Sequence, residues 1–262
     1  MILQLPLSVR QYNYSYFCRM RIIPLSEGSF TVDASKKFVP FKLSEDEMTH
    51  RGRGSLLVEI QPFVVITNED IILLDTGLGL TDEDGQFQLY KNLRDNGINA
   101  DDVTKVMMSH LHKDHSGGLI NPYTKHPAFE NAVYYIQKQE LDYAFEAGAS
   151  YDTDTLELLR SADNMVLQQE EKGEIAEGIS YEVTGAHSKF HRVIWIKDGD
   201  ATVFFGADDA PQLSQMKTRF AAKYDYDGKK AMQLREQWLN EGKDWQFLFY
   251  HDLKTPVKQF VG

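Results

Sequence analysis

The chain carries one cysteine, Cys18, among its 262 residues. A lone thiol makes neither an internal disulfide nor a thiolate cage for zinc, so nothing in the thiol chemistry argues for an oxidising compartment. Any metal must then be held by histidine and carboxylate. Cations are also few. Lys and Arg number 28 against 39 Asp and Glu, a formal charge of −11, which repels a phosphate backbone rather than attracting it. Nucleic acid is therefore not the expected partner. No stretch approaches the roughly 18 apolar residues that span a bilayer, and Met1–Arg10 has no basic segment leading into a long apolar run. The expectation is a cytoplasmic protein with no membrane partner. A linker rich in Pro, Gly or Ser, an internal repeat and a low-complexity tract are missing as well. One domain over residues 1–262 is the expected organisation.

What is present is an alternation of apolar runs and turn residues. Leu56–Thr67, interrupted by Pro62, and Ile71–Asp75 read as a hairpin turning at Asn68-Glu69-Asp70. Phe87, Tyr90 and Leu93 recur at three-residue spacing and predict a helix over Gln86–Arg94 that Asn96-Gly97 stops. A buried strand over Lys105–Ser109 follows, then a strand over Ala132–Ile136 and helices over Gln139–Ala147 and Thr153–Ala162. Further strands are expected at Ile179–Thr184, Arg192–Lys197, Ala201–Phe205 and Gln246–Tyr250, with an amphipathic helix over Gly228–Asn240 before the last. This interleaving is mixed α/β. The polar stretch Ala34–Gly54 has no periodic pattern, and a loop of that length is a candidate cover for a site.

The chemistry concentrates in Ser109-His110-Leu111-His112-Lys113-Asp114-His115-Ser116-Gly117-Gly118, directly after the apolar strand. A chance H-x-H-x-D-H match in a chain this poor in histidine is on the order of one in a thousand or less. His110 and His112 alternate and so point to one side of an extended segment, and a tight turn then brings Asp114 and His115 beside them. Four donors from one loop exceed what a single first-row metal takes while keeping an open position. Two adjacent metals are implied.

The segment resembles the metallo-β-lactamase superfamily, and other parts of the chain match that family in order. Thr184-Gly185-Ala186-His187 is similar to its Thr-x-Gly-His turn with Gly and Ala exchanged, Gly206-Ala207-Asp208 to its strand-end carboxylate, and Tyr250-His251-Asp252 to its last histidine. The resemblance implies one metal held by His110, His112 and His187, a second held by Asp114, His115 and His251, and Asp208 bridging both. Asp209 competes with Asp208 for the bridge. Asp75, in Leu73-Leu74-Asp75-Thr76-Gly77, is implied to hydrogen-bond the metal loop, and His191 to be structural, while His50 and His126 read as solvated. The implied fold is the family's four-layer αβ/βα sandwich, two mixed β-sheets face to face with helices outside. The implied cofactors are two divalent ions, zinc first, with iron, manganese and cobalt also suited to these ligands.

The implied activity is hydrolysis by a hydroxide held between two cations, with Asp114 orienting the nucleophile and passing a proton to the leaving group. Ligand spacing and the stretches Thr184–His191, Ala207–Pro211 and Phe249–Asp252 look similar to the quorum-quenching lactonase branch, which opens N-acyl homoserine lactones. A small-molecule ester or lactone is thus the expected partner. One departure stands out: Pro211 occupies the position of a tyrosine that helps hold the substrate carbonyl in the branch, so Tyr224 or Tyr226 replaces it or the substrate differs. Phe38, Phe41 and Phe63 are candidates for an acyl pocket or for core. Thioesterase and phosphoesterase chemistry, and a metal-binding module without catalysis, are the rival readings. A glyoxalase-type enzyme would carry a basic C-terminal segment where only Lys254 and Lys258 occur, and the diiron flavoproteins a Glu in the first motif.

Overall fold

The computed structural model describes residues 20–260, so that Cys18 and Met1–Arg10 lie outside the described residues. Its first strand, β1 (Arg21–Pro24), precedes β2 (Gly28–Val32), β3 (Phe38–Pro40) and β4 (Leu56–Ile60), and the last three form a small antiparallel sheet in the order β3-β2-β4. β5 (Phe63–Ile66) and β6 (Ile71–Leu74) make the expected hairpin. After α1 (Gln88–Asp95) come β7 (Lys105–Met107), the short helix α2 (Lys113–Ser116), β8 (Val133–Gln137), α3 (Lys138–Ala144), α4 (Thr153–Arg160) and β9 (Met165–Gln168). These build a mixed sheet ordered β1-β5-β6-β7-β8-β9, antiparallel up to β6 and parallel beyond it.

A second six-stranded sheet follows, with β10 (Lys172–Ala176), β11 (Ile179–Val183), β12 (Arg192–Asp198), β13 (Ala201–Phe205), β14 (Trp245–Leu248) and β15 (Val257–Gln259) in chain order. Only β13 and β14 run parallel, because α5 (Leu213–Lys217) and α6 (Gly228–Glu241) supply the long crossover that parallel neighbours need.

Alternation along the strands explains the layers. Phe63, Val65, Ile72 and Leu74 point one way and pack against Ile194, Ile196, Val203 and Phe205 of the second sheet. Val64, Leu73 and Val106 point the other way, onto Leu89 and Leu93 of α1 and Leu156 and Leu159 of α4. On the far side, Phe204 and Phe247 cover Trp238 of α6. The result is helix, sheet, sheet, helix, the expected four-layer αβ/βα sandwich.

One difference from the sequence expectation bears on the site. The run Leu56–Thr67 does not continue as one strand: it breaks at Gln61-Pro62, where proline removes a ladder donor, and β4 leaves for the small sheet. The side-chain amide of Gln61 donates to the carbonyls of Phe249 (2.9 Å) and Asp252 (3.1 Å), which pins this corner to the segment after β14. The fully buried Arg192 ties the sheets together nearby, donating from Nε to Met108 O (2.7 Å) and from Nη2 to Tyr135 O (2.6 Å). Among the described residues no helix is long and apolar enough to cross a membrane.

Candidate metal centre

All seven residues singled out by the motifs meet at one edge of the two large sheets. His110 and His112 leave the end of β7, and Asp114 and His115 follow on the single turn of α2, which starts at His112. A helical turn, rather than the expected tight turn, brings the second pair round. The loop can lie this close only because of its two glycines. A Cβ on Gly117 would sit 2.3 Å from Leu78 O, and one on Gly118 2.2 Å from Thr76 O.

His187 lies in the turn between β11 and β12, Asp208 in the 3-10 turn Ala207–Asp209 after β13, and His251 just past β14. Two groups of donors result. Nε2 of His110 and Nε2 of His187 each come within about 3 Å of His112 Nδ1, at 3.0 and 3.1 Å, and Asp208 Oδ2 is 3.1 Å from His187 Nε2. The other oxygen, Asp208 Oδ1, is 3.2 Å from His115 Nε2 and 3.0 Å from His251 Nε2, while Asp114 Oδ2 is 3.6 Å from His251 Nε2. His110, His112, His187 and Asp208 lie within metal-binding distance of one another, as do Asp114, His115 and His251, and a third set, Asp75, His110 and His115, links the two.

Outer partners fix which nitrogen faces inward. His115 Nδ1 donates to Asp75 Oδ2 (2.7 Å), His187 Nδ1 to Asp225 Oδ1 (3.0 Å) and His251 Nδ1 to Glu59 O (2.7 Å). Each leaves a lone pair on Nε2 directed at the centre. Asp75 is fully buried at a left-handed φ of 56°, and it also accepts from Ser109 N (2.7 Å) and Ser109 Oγ (2.6 Å). Asp209 does not compete for the centre: it accepts from His187 N (2.8 Å) and pairs with Nδ1 of the buried His191 (3.0 Å). His50 and His126 are exposed.

The electrostatics fit a cation. Burial opposes ionisation of Asp208, yet His251, His115 and His187 outweigh it and hold its carboxyl well below the usual carboxylate range. Burial and neighbouring imidazoles push His110 and His112 well down, so both are neutral donors. His115 Nε2 and Asp208 Oδ1 are buried without a hydrogen-bond partner although they lie 3.2 Å apart. Against the opposing effect of burial, Asp208 and Asp114 raise the pKa of His115, so this pair is satisfied either by a proton on Nε2 or by an ion in its place.

A cleft of about 640 Å³ opens over this centre, reaching His112, Asp114, His187, Asp208 and His251 at its floor. Val32, Phe38, Leu56, Val58 and Phe220 wall it, and Ala34, Lys36 and Gly54 bring the polar stretch Ala34–Gly54 to its side. A second chamber of about 190 Å³ runs from the same floor toward Pro211, Gln212 and Gln215. Tyr224, half-exposed, lines both chambers, its ring 5.8 Å from that of His187, whereas Tyr226 lines neither. Of the three phenylalanines, only Phe38 lines the cleft. Phe63 is core, edge-on to Phe205 (6.1 Å), and Phe41 is buried.

Three carboxylates around the centre escaped the sequence reading. Asp225 orients His187, as above. Glu140 of α3 is buried and accepts from Leu111 N (3.1 Å), Tyr151 OH (3.0 Å) and Ser188 Oγ (3.1 Å), bracing the loops that carry His112 and His187. Glu27 accepts from Leu78 N (2.6 Å) and lies against Gly77, where a Cβ would sit 2.3 Å from its Oε2. No motif marks any of them, because one acid in a polar segment looks like a solvated residue.

Two facing mixed sheets with imidazole and carboxylate donors converging at one edge define a metal-dependent hydrolase. The family model described as the metallo-beta-lactamase superfamily matches residues 58–244, and the chain belongs to that superfamily. No curated protein matches. Among solved structures, a probable metal-dependent hydrolase from Staphylococcus aureus aligns with a TM-score of 0.71 at 20% identity, over 92% of this chain and 96% of that one. AidC, a dizinc quorum-quenching lactonase in complex with a product, aligns with a TM-score of 0.69 at 20% identity, over 93% of this chain and 91% of that one. A quorum-quenching N-acyl homoserine lactone lactonase aligns with a TM-score of 0.64 at 21% identity, over 92% and 95%. At these identities the likeness is one of fold.

Proposed function

We propose that the protein hydrolyses a carboxyl ester or lactone, an N-acyl homoserine lactone being the first candidate, at a centre of two divalent cations, zinc first. His110, His112 and His187 would hold one cation and Asp114, His115 and His251 the other, with Asp208 available to both. The observation that carries this reading is the division of the donors into two groups that meet at the two oxygens of Asp208. Bound there, such ions supply Lewis acidity and lower the pKa of a coordinated water from 15.7 to about 7.

The chain's own groups do the rest. Asp114 lines the cleft floor, where its carboxylate accepts the proton of the attacking water and returns it to the leaving alcohol. Tyr224 answers the departure at Pro211. Burial and the carboxylates Asp208, Asp225 and Asp114 raise its phenol pKa, so it stays protonated and donates to the substrate carbonyl. A cleft of about 640 Å³ suits a small molecule with an apolar acyl part.

The test is a turnover screen of the metal-analysed protein against a homoserine lactone, an aryl ester, a thioester and a phosphotriester, repeated after chelation. Lactone opening that vanishes with the metals is the expected result. A dominant thioester or phosphoester activity replaces the substrate, and no turnover with both ions bound leaves a metal-binding module. Asp114→Asn is expected to lose about 100-fold or more in kcat while keeping most of its metal. Unchanged turnover refutes the role given to Asp114.

A further inference from the structure

The cleft wall has a charge that the rest of the chain does not share. Against a net −11, the ionisable residues that line it above the donor cluster are Lys36, Lys113 and Lys223, with Asp33 the single acid. Asp33 is engaged in its own turn, Oδ1 accepting from Ser35 N (2.8 Å) and Ser35 Oγ (2.6 Å). Among the described residues Lys36 and Lys223 have no carboxylate in ion-pair reach, and residues 1–19 contain no Asp or Glu.

Lys36 is also held in place. Its backbone is left-handed, with φ 57°. Its ammonium lies 4.9 Å from the centroid of Tyr224, whose ring in turn is 5.8 Å from that of His187. The cation thus stands one aromatic ring away from the donor cluster, at the cleft. What sets Lys36 apart is its place: it lines the cleft, whereas Lys125, also left-handed, and Lys189, also over aromatic rings, do not.

We propose that the molecule bound in this cleft carries a carboxylate at the far end of its apolar part, and that Lys36, with Lys223 of the same cleft wall, recognises that carboxylate. Resting on the hydrolase reading above, the substrate class narrows to esters or lactones of half-acids, in which the carbonyl lies at the donor cluster and the second acid reaches the lysines. Lys36 selects the substrate and takes no part in bond breaking.

The experiment compares nitrophenyl half-esters of adipic and suberic acids with the nitrophenyl esters of fatty acids of equal length, on the metal-loaded enzyme. The readout is the ratio of kcat/KM for charged and uncharged acyl chains. Wild type is expected to prefer the half-acid about tenfold at low salt, equivalent to one charge pair of about 1.4 kcal/mol. The preference fades near 1 M salt, where the screening length is about 3 Å. Lys36→Met brings the ratio close to one, Lys223→Met lowers it less, and Lys36→Arg restores it. In parallel, calorimetric titration of the chelated protein with the matching anilides, which are not turned over, measures binding alone. A half-acid anilide that binds about tenfold tighter than its uncharged counterpart, dependent on Lys36, sustains the inference even where no ester is hydrolysed, an outcome that sinks only the hydrolase reading. Equal handling of charged and uncharged chains in both assays, at all salt concentrations, overturns it.

Discussion

Replacing Glu140 tests whether the centre is braced by one buried carboxylate. Its Oε1 takes two donors, Leu111 N and Tyr151 OH, and its Oε2 takes Ser188 Oγ. Leu111 separates His110 from His112, Ser188 follows His187, and the Tyr151 ring is 4.9 Å from that of His112. Glu140→Ala orphans three donors in a site without water access, at about 1–3 kcal/mol each. Hydroxyls re-aim more easily than a backbone N–H, so the expected loss is about 3–5 kcal/mol, a large share of a domain's 5–15 kcal/mol or so. Glu140→Gln behaves differently. Its carbonyl keeps both donors of Oε1, and its amide donates to Ser188 Oγ, which accepts as readily as it gives. Burial raises the pKa of Glu140, so removing the charge also removes a cost. The Gln variant should lie within about 1 kcal/mol of wild type. Urea unfolding of the chelated proteins, followed by circular dichroism, reads the difference. Ala and Gln variants of equal stability would refute the bracing argument.

Two further outcomes follow from outer groups. In Asp75→Asn one oxygen remains, and with it kept on Ser109 N the amide NH2 faces His115 Nδ1 and cannot accept from it, so the ring proton moves to Nε2 and blocks the inward lone pair. About 10–100-fold weaker binding of one metal equivalent is expected in chelator competition, and unchanged stoichiometry and affinity would contradict it; Asn tolerates the left-handed backbone, so conformation does not confound the test. Glu27 is pushed up to about 7 by burial, against its ordinary 4.5. A carboxyl raised in the folded state favours folding fully below about 4.5 and loses that contribution as pH rises through about 7. At 1.36 kcal/mol per unit this is about 3 kcal/mol. The stability of wild type relative to Glu27→Gln should therefore fall by that amount between pH 4.5 and 8, and parallel curves would show that Glu27 does not titrate in this range.

Legibility in the sequence followed periodicity and chemical rarity. Strands β5, β6, β7, β8 and β11 to β14 and helices α1, α3, α4 and α6 carry apolar runs or faces bounded by turn residues, and each lies where the pattern places it to within a few residues. β2, β3, β9, β10 and β15 do not. Lys172–Ala176 is largely exposed and Val257–Gln259 has no buried residue, so these edge strands are held by a neighbour's ladder and not by a buried side-chain pattern. Clustered imidazoles are rare enough to be read directly, and the residue order His110 to His251 could be followed through the chain. Glu140, Asp225 and Glu27 could not, since their importance lies in what tertiary packing sets against them.

The same contrast divides the centre from the cleft. The donors stand past the ends of β7, β11, β13 and β14, where ladders and the Asp75, Glu140 and Asp225 hydrogen bonds leave them little freedom. The walls come instead from Val32–Phe38, Gly54–Val58 and Phe220–Tyr224, three segments far apart in the chain, two of them largely irregular. Loops of this kind tolerate substitution without disturbing the sheets beneath them. A reaction class can therefore persist on the rigid floor while Lys36, Tyr224 and their neighbours change what is admitted. Substrate identity in this chain is then to be sought at the turn that holds Lys36, which among the described residues pairs a left-handed non-glycine backbone with a cation at the cleft.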